Sequence, residues 1–485
     1  MSRFRRPSRP GRKRYSSNAR RVLISQFRLL SPQYSHSEDG GALNQQSRAD
    51  YVSANGQDGY YPKFPMIIQG NGEPWRIANL YLIAKLHRES GYESRTFRGI
   101  ADHLLDYLRF LEDENLDYLH FPKNIRLRVT FLYHKHLAHL CAMGELAKNT
   151  ASARINTVVN FYRNITDWKL IKQHEIENSP FENINKTINI VSAIGTESTI
   201  KVKSHNLAFK TTRTDTPPEY IRDGGILRPL LLNDQISVLK ALLMSSREYQ
   251  LMFYLALFTG ARAQTVGTIR VKNLLGPLDG AGYLRLPTGS GTLIDTKRGK
   301  QLTLLIPGWL VKDMITYCRS EEAIKRRGRS FYGETGENYL FLSKNGVPYY
   351  TSKRELYDRR DSAISSNTSL TDRATNASIQ DGAAIRQHIK EILQPRILIE
   401  NPNFQEFTFH DLRATFGMNL LESQLQHRGD MSISAAIDYV QQRMGHSDKL
   451  TTMQYLNYKS RLEWKFQIQN NFEESLFSYL NMGAK

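Results

Sequence analysis

The residues of this chain whose types and spacing could do chemistry lie in its second half. Arg262 follows an apolar segment and a Thr-Gly turn, in LFTGAR. His410 and Arg413 stand three residues apart in FHDLRATF, a spacing that places both on one face of a helix. His446 follows the helical pattern AAIDYVQQRM and a glycine that ends it, and Tyr455 comes nine residues later. Taken singly, each of these is more often a surface residue or a helix cap than a catalytic group.

A lysine completes the set. Lys297 lies in GYLRLPTGSGTLIDTKRGKQLTLLIP, where apolar residues alternate around a Gly-rich break. This pattern predicts a small antiparallel sheet, with the lysine at a strand end or a hairpin tip.

Together these residue types suit the cleavage of a phosphodiester. Attack at phosphorus adds negative charge to the equatorial oxygens, and two guanidiniums form a natural clamp for that transition state. A phenol with a pKa of about 10 loses its proton with help from cationic surroundings and a nearby His or Lys. The departing 5′ oxygen needs a proton, which a lysine can donate. The set therefore predicts metal-free and cofactor-free chemistry on a nucleic acid.

Composition points to the same class of partner. The 485-residue chain has a formal net charge of +19 and a pI near 9.7. Such a balance favours a polyanionic partner, with nucleic acid ahead of an anionic lipid surface. Two cysteines give neither a disulfide framework nor a zinc-finger spacing. The longest apolar run, LMFYLALF, is far too short for a membrane span, so we expect an intracellular protein without a membrane partner.

The elements that must position these residues fall into four segments. Residues 1–73 are predicted to form a basic, largely disordered arm, because nine of the first 21 residues are Arg or Lys and Pro, Gly and Ser interrupt any periodicity. DNA contact is the favoured role of this arm, and a transit peptide is the alternative. Folding is expected to begin near Pro74. Residues 74–198 show four helical patterns, 199–227 read as a linker with Pro-Pro and Gly-Gly pairs, and 228–485 form the second domain.

Several features of these segments have an open interpretation. Four basic residues of the helical domain could contact phosphates: Arg95, Arg98, Lys148 and Arg154. A solvated helix face explains each of them equally well. A polar insertion at about 357–402 is either a disordered loop or an extra contact with DNA or a partner. Apolar spacing predicts a C-terminal helix at about 462–482, which could pack on its own domain or on a neighbouring protomer.

In chain order, the T-G-x-R segment, the sheet lysine, H-x-L-R, G-H-S and the tyrosine resemble the tyrosine recombinase (phage integrase) family. The resemblance covers residues 228–460, and the helical domain, above all NTASARINTVVNFYRNI, is similar to the family's core-binding, SAM-like domain. It implies a mainly α fold with a small antiparallel β-sheet (α+β), arranged as a C-shaped clamp around duplex DNA.

The resemblance also implies roles for the site residues. Arg262 and Arg413 would clamp the scissile phosphate, and Lys297 would protonate the leaving 5′ hydroxyl. His410 and His446 would assist proton transfer and hold the phosphate. Tyr455 would be the nucleophile that forms a 3′-phosphotyrosine link, because the family places its tyrosine nine residues after the histidine.

Two neighbouring positions qualify this assignment. Tyr458 lies one helical turn after Tyr455, so geometry alone does not separate the two tyrosines. The family usually carries an acidic residue three positions after the first arginine, and here that position is Thr265.

The resemblance implies site-specific recombination, for integration, excision or transposition of a mobile element. The expected partners are double-stranded DNA sites, further copies of the chain up to a tetramer on paired sites, and accessory DNA-binding proteins. The expected location is the cytoplasm of a prokaryotic host, at the nucleoid. Two alternatives are a type IB topoisomerase, which relaxes DNA without strand exchange, and a non-catalytic DNA-binding relative.

Overall fold

The computed structural model describes residues 15–35, 48–53, 60–88, 92–191, 197–209, 219–359, 379–426 and 433–460. The chain divides into two compact units, Met1–Thr214 and Asp215–Lys485, so the boundary lies inside the predicted linker. The mainly helical fold class with small antiparallel sheets is confirmed. No helix of the described part is long and apolar enough to cross a membrane.

Four helices dominate the first unit, in the region where helical periodicity predicts them. They are α1 (Arg76–Arg88), α2 (Ser94–Asp113), α3 (Val129–Ala142) and α4 (Lys148–Asp167), with short 3₁₀ turns at Ile125–Leu127 and Gln173–Glu175. Apolar residues spaced three and four apart bury one face of α2 against α3 and α4. The core between the helices is aromatic, and the hydroxyls of Tyr107 and Tyr162 meet there at 2.7 Å.

Strands add to this helical unit, which corrects two predictions. The strands are β1 (Arg20–Phe27), β2 (Leu30–Ser35), β3 (Arg48–Ser53), β4 (Tyr61–Ile68), β5 (Asn183–Val191) and β6 (Glu197–His205), and they pair antiparallel as β1–β4, β2–β3 and β5–β6. On β4, Phe64 and Ile67 are fully buried and join the helical core, as Tyr15 and Ala19 do before β1. Disorder up to residue 73 is therefore wrong for the described residues, since their apolar side chains complete the core. The domain is not all-helical either, and residues 1–14 lie outside the described part.

The predicted linker, residues 199–227, is also more ordered than expected. Its first part continues β6, and its last part forms a two-stranded hairpin from β7 (Ile221–Arg222) and β8 (Ile226–Leu227). Residues 210–218 between them lie outside the described part.

The second unit is built from short helices around one β-hairpin. The helices are α5 (Leu232–Leu243), α6 (Arg247–Thr259), α7 (Ala263–Gly267), α8 (Gly308–Cys318), α9 (Glu321–Gly328), α10 (Lys353–Asp358), α11 (Ala383–His388), α12 (Gln394–Glu400), α13 (Phe409–Gln426), α14 (Ile433–Met444) and α15 (described over 449–460). The hairpin pairs β9 (Tyr283–Thr288) with β10 (Leu302–Pro307), as the alternating pattern predicts. Two 3₁₀ turns, Val271–Leu274 and Lys297–Gly299, complete the described elements.

Part of the polar insertion at 357–402 is buried in the core of the second unit. A π-helical turn, Ile389–Leu393, joins α11 to α12 without a break, and apolar side chains of this segment bury into the main core: Ile385, Ile389, Leu393 and Ile397. The polar centre of the insertion, 360–378, and the predicted C-terminal helix, 462–482, lie outside the described residues.

A second, smaller apolar cluster joins the β7–β8 hairpin to α13, α14 and α15. Its buried members are Ile221, Leu227, Ala414, Phe416, Leu421, Val440, Met444, Tyr455 and Tyr458. Four segments far apart in sequence thus meet here, and the candidate chemistry lies at this cluster.

Candidate active site

The C-terminal end of α6 positions the first arginine. Gly260 ends the helix with φ of 68°, in the left-handed region that favours glycine, and its backbone carbonyl accepts a bond from Arg413. A Cβ at Gly260 would lie 2.5 Å from a ring carbon of Phe416, so only glycine fits this turn. Arg262 follows at the start of α7 with a quarter of its side chain exposed. Burial, and next the charge of Arg413, lower the pKa of Arg262 to about 10.

The second arginine is buried and holds the site together. Arg413 is 1% exposed on α13, and its Nε donates to a carboxylate oxygen of Asp223 at 3.0 Å. Its two terminal nitrogens donate to the carbonyl oxygens of Gly260, at 2.8 Å, and Met444. The guanidinium therefore ties the C-terminal ends of α6 and α14 to the β7–β8 hairpin.

His410 lies one turn before Arg413 and is half-buried. Burial and the positive charge of Arg262 lower its pKa to about 4, so its imidazole is neutral at physiological pH. Its Nε2 atom is buried and has no hydrogen-bond partner among the described residues, and the same holds for Nε of Arg262. Both nitrogens can therefore make a further hydrogen bond in this site.

His446 stands where α14 ends. Gly445 has φ of 61° and closes the helix, which leaves the imidazole 9% exposed in the cluster. Its Nδ1 lies 2.9 Å from the hydroxyl of Thr452, and its Nε2 lies 3.1 Å from the Asp223 carboxylate. Both ring nitrogens are thus oriented by fixed partners.

The two tyrosines of α15 differ in their surroundings. Tyr455 is fully buried, and its hydroxyl donates to Asp223 at 3.2 Å. Its ring lies over Gly417, where a Cβ would approach Cε1 to 2.6 Å. Tyr458 is also buried in the cluster. Burial, and next the negative charge of Asp223, raise the pKa of Tyr455 well above its ordinary value, so the phenol is protonated in this state.

The lysine sits on an exposed turn. Lys297 opens the turn Lys297–Gly299 in the connection between β9 and β10, near its basic neighbours Arg298 and Lys300. Its Nζ lies 3.3 Å from the position that a Cβ on Gly224 would take. The ammonium group therefore reaches the tip of the β7–β8 hairpin, next to Asp223.

Asp223 is the functional candidate that sequence reasoning missed. It is 3% exposed, and one of its oxygens lies within 3.2 Å of groups on Arg413, His446 and Tyr455. The other lies 3.6 Å from Arg262. Burial by itself would raise the pKa of Asp223, but the hydrogen bond with His446 and the charge of Arg413 hold it well below its ordinary value.

A local signal for this hairpin does exist in the sequence. IRDGGIL places Asp-Gly between apolar residues, which is a strong hairpin pattern, and Gly224 has φ of 68° at the turn. Asp223 also bears on Thr265, the position at which this sequence departs from the family pattern. Thr265 is buried at the place where the resemblance implies an acid, and the carboxylate beside the arginines comes from the hairpin instead.

The four candidate DNA contacts of the first unit have unequal surroundings. Arg95 and Lys148 are exposed at the first turns of α2 and α4. Arg98 is half-buried, and its Nε donates to the carbonyl of Ser94. Arg154 is paired with the largely buried Asp106 at 2.8 Å, so this arginine is the least available of the four to a phosphate.

The site as a whole is a clamp around one anion position. Arg262, Arg413, His446 and Tyr455 contact a single carboxylate, and Lys297 reaches the turn that carries it. Two guanidiniums and an imidazole can hold the oxygens of a phosphate, and a phenol beside them can attack its phosphorus. In the described part, no group of three or more His, Cys, Asp or Glu side chains could hold a metal ion.

Comparison with known proteins places this site in a recognised domain. Residues 231–461 match the phage integrase family, and this interval contains all six predicted catalytic residues but not Asp223. A search of curated proteins finds no significant match.

Similar solved structures include three DNA complexes. A lambda integrase dimer on a COC′ core site is 14% identical, over 78% of this chain and 94% of that one, with a TM-score of 0.39. XerH bound to difH, in a pre-cleavage complex, is 14% identical over 75% of this chain and 77% of that one, with a TM-score of 0.40. A lambda integrase tetramer on a Holliday junction is 13% identical over 78% of this chain and 76% of that one, with a TM-score of 0.42. The likeness to the phage integrase family is carried by residues 231–461.

Proposed function

We propose that this chain, which matches the phage integrase family over residues 231–461, is a site-specific recombinase and that Tyr455 is the nucleophile with which it cuts and rejoins DNA. The observation that carries this proposal is the convergence of Arg262, Arg413, His446 and Tyr455 on one buried anion position. A scissile phosphate in that position would meet two permanent positive charges and a phenol at contact distance.

The proposed reaction is a transesterification at phosphorus. The phenolic oxygen of Tyr455 attacks the phosphorus, its proton passes to a base of the site, and the bond to the 5′ oxygen breaks. His410 is suited to accept that proton, because its imidazole is neutral and its Nε2 has no partner in the described part of the chain. Lys297 donates a proton to the departing 5′ oxygen, and its position on an exposed turn lets it approach the DNA backbone.

Rejoining reverses these steps with a new strand. The 3′-phosphotyrosine link keeps the energy of the phosphodiester bond, so the 5′ hydroxyl of another strand can attack it and release Tyr455. Arg262 and Arg413 stabilise the charge that develops on the phosphate oxygens in both directions. No nucleotide and no metal ion takes part in either step.

The proposed partners are duplex recombination sites and further copies of the chain. The net charge of +19 suits a DNA ligand. Lambda integrase is known as a dimer on a core site and as a tetramer on a Holliday junction. For this chain we propose a tetramer on two paired sites, in the cytoplasm of a prokaryotic host, acting on a mobile element.

The test is the capture of the covalent intermediate. Sequencing the flanks of the gene for attachment-like repeats would identify the recombination site, and a nicked duplex that carries this site loses a short 5′-hydroxyl fragment after cleavage and so traps the phosphotyrosine. We expect an adduct in excess EDTA without nucleotide, and peptide mapping should find the DNA on Tyr455. Loss of the adduct on chelation, with recovery on added magnesium, contradicts the proposed chemistry.

The same preparation separates recombination from simple relaxation of DNA. Paired sites on one plasmid should yield recombinant products with the wild-type protein. Relaxation of supercoils without recombinant products identifies a topoisomerase-like activity instead.

A further inference from the structure

We propose that Asp223 occupies the position of the scissile phosphate in the DNA-free site, and that substrate DNA must displace its carboxylate before Tyr455 can react. This inference rests on the proposed function of the site. It makes the β7–β8 hairpin, which precedes the family domain, an internal competitor of the DNA backbone.

The partners of Asp223 are the groups that a phosphate would need. One carboxylate oxygen lies 3.0 Å from Nε of Arg413, 3.1 Å from Nε2 of His446 and 3.2 Å from the hydroxyl of Tyr455. The other oxygen lies 3.6 Å from a terminal nitrogen of Arg262. A planar carboxylate with these contacts reproduces two oxygens of a phosphodiester held by the clamp.

Because of their charge, the Asp223 carboxylate and a DNA phosphate cannot occupy the clamp together. Asp223 and a phosphodiester each carry one negative charge, and both seek the same two guanidiniums. Two like charges in contact inside a poorly solvated site repel each other strongly. Exchange of carboxylate for phosphate, in contrast, leaves the net charge of the site unchanged, so the arginines remain neutralised in both states.

The base of the β7–β8 hairpin is packed, whereas its tip, which carries the Asp223 carboxylate, can move. Its base is held by Ile221 and Leu227 in the apolar cluster and by the bond from the Arg222 amide to Gln454 at 2.8 Å. Asp223 stands at the tip, next to two glycines, and Gly224 adopts the left-handed conformation. Movement of this side chain and turn opens the clamp while the base stays packed.

In the DNA-free site, the Tyr455 hydroxyl is also unreactive. The Tyr455 hydroxyl donates to Asp223, so the phenol is bonded to an anion and keeps its proton. Once a phosphate replaces the carboxylate, that acceptor is gone and the phenolic oxygen faces phosphorus. DNA binding and removal of the inhibitory contact are then one event.

The test compares Asp223→Asn with the wild type in the full-length protein. The amide keeps the shape of the side chain but removes its charge, so the clamp should take external anions more readily. We expect the affinity for the nicked duplex to rise about tenfold or more, because the charged internal competitor of the phosphate is gone. The adduct should still form at saturating DNA. Inorganic phosphate should raise the Tm of Asp223→Asn more than that of the wild type.

Asp234→Asn is the matched control. Asp234 pairs with Arg228 at 2.7 Å in the same unit but takes no part in the clamp. Its replacement should leave DNA affinity and the response of Tm to phosphate as in the wild type.

Two results overturn the inference. One is an Asp223→Asn protein whose affinity for DNA does not rise; if its adduct is also lost at saturating DNA, Asp223 is a permanent positioning residue. The other is an Asp223→Asn protein that fails to fold and is restored neither by phosphate nor by DNA. In both cases the wild-type adduct on Tyr455 persists, so failure of this inference is distinct from failure of the proposed function.

Discussion

Two hairpins reach the candidate active site, and they hold their charged residues in opposite ways. The β7–β8 hairpin buries Asp223 among four partners, two of them on α13 and α15 and the others just before α7 and just after α14. The β9–β10 hairpin presents Lys297 on an exposed turn. The clamp side of the site is therefore preorganised and largely buried, whereas the proposed proton donor stands at the solvent boundary.

This difference follows from what each group must do. Buried guanidiniums stabilise a developing charge strongly because no water reorganises around them, but they need an anion beside them at all times. A general acid must meet a leaving oxygen that exists only in the DNA complex, so it has no reason to be buried before DNA binds. The predictions below separate the two sides of the site, starting with the largest expected effect.

The proposed nucleophile, Tyr455, belongs to the buried side, and its replacement should abolish cleavage completely. Tyr455→Phe should form no covalent adduct on the nicked duplex, because the attacking oxygen is gone, while the ring still packs over Gly417. DNA affinity should stay at the wild-type value in a gel-shift assay. Tyr458→Phe is the control, since Tyr458 packs in the same cluster, and it should keep adduct formation. An adduct mapped to Tyr458 would show that the assigned tyrosine is wrong.

The second prediction tests the buried arginine. Arg413→Lys keeps one charge but cannot serve Asp223, Gly260 and Met444 together, so cleavage should fall about a thousandfold. The Tm should also fall, because two helix ends lose a shared donor. DNA affinity should change little, since many basic residues carry it.

A matched control is available on α14. Arg443→Lys replaces an arginine that packs against Phe416 and Tyr439 outside the clamp, and it should cleave normally. Equal losses of binding and cleavage in Arg413→Lys would instead make Arg413 a general phosphate contact.

The exposed side should respond differently. Lys297→Ala should slow cleavage about a hundredfold, at the lower end for a lost general acid, because water reaches this turn and replaces it in part. Its Tm should match the wild type. A substrate with a bridging 5′ sulfur should restore the rate, because a thiolate leaves without a proton.

The neighbouring Lys300, which bonds Ser447 at 2.9 Å, provides the control. Lys300→Ala should show no preference for the sulfur substrate. If Lys297→Ala stays equally slow with sulfur, Lys297 acts on binding or position and not as the proton donor.

The fourth prediction concerns the space beneath the ring of Tyr455. Gly417→Ala places a methyl group 2.6 Å from the Tyr455 ring, which should lower the stability by about 1–3 kcal/mol and slow cleavage modestly. Gly99→Ala on α2, where the new Cβ meets nothing within 4 Å, is the control and should be neutral or stabilising. Thermal melting of both variants measures the difference, and equal Tm values would show that the ring is free to move aside.

The sequence allowed most of the helices and the candidate site to be predicted, for a local reason. Helix α2 and the FHDLR segment carry their signal within one or two turns, so spacing alone places His410 and Arg413 on one face. The β9–β10 hairpin is local in the same sense, and its alternation was sufficient.

The missed features depend on contacts between distant segments. Strand β1 pairs with β4 across a Gly- and Ser-rich stretch, and only the shared core shows why Phe64 and Ile67 are apolar. Asp223 lies in a segment whose composition resembles a linker. Its hairpin is readable from Asp-Gly, but its place beside Arg413, 190 residues later, is set by tertiary packing.

The smallest expected effect concerns the N-terminal arm. The first 14 residues carry seven Arg or Lys, whereas Ser16 and Ser17 already bond Asp113. Deletion of residues 1–14 should therefore leave the fold intact, remove phosphate contacts and weaken DNA binding. Each lost contact should flatten the dependence of log K on log salt by about 0.9, because fewer counterions are released. Adduct formation at saturating DNA should be unchanged, since the clamp lies in the second unit. An unchanged salt slope would assign this segment to targeting or spacing, and a lost adduct would mean that the arm takes part in assembling the active site.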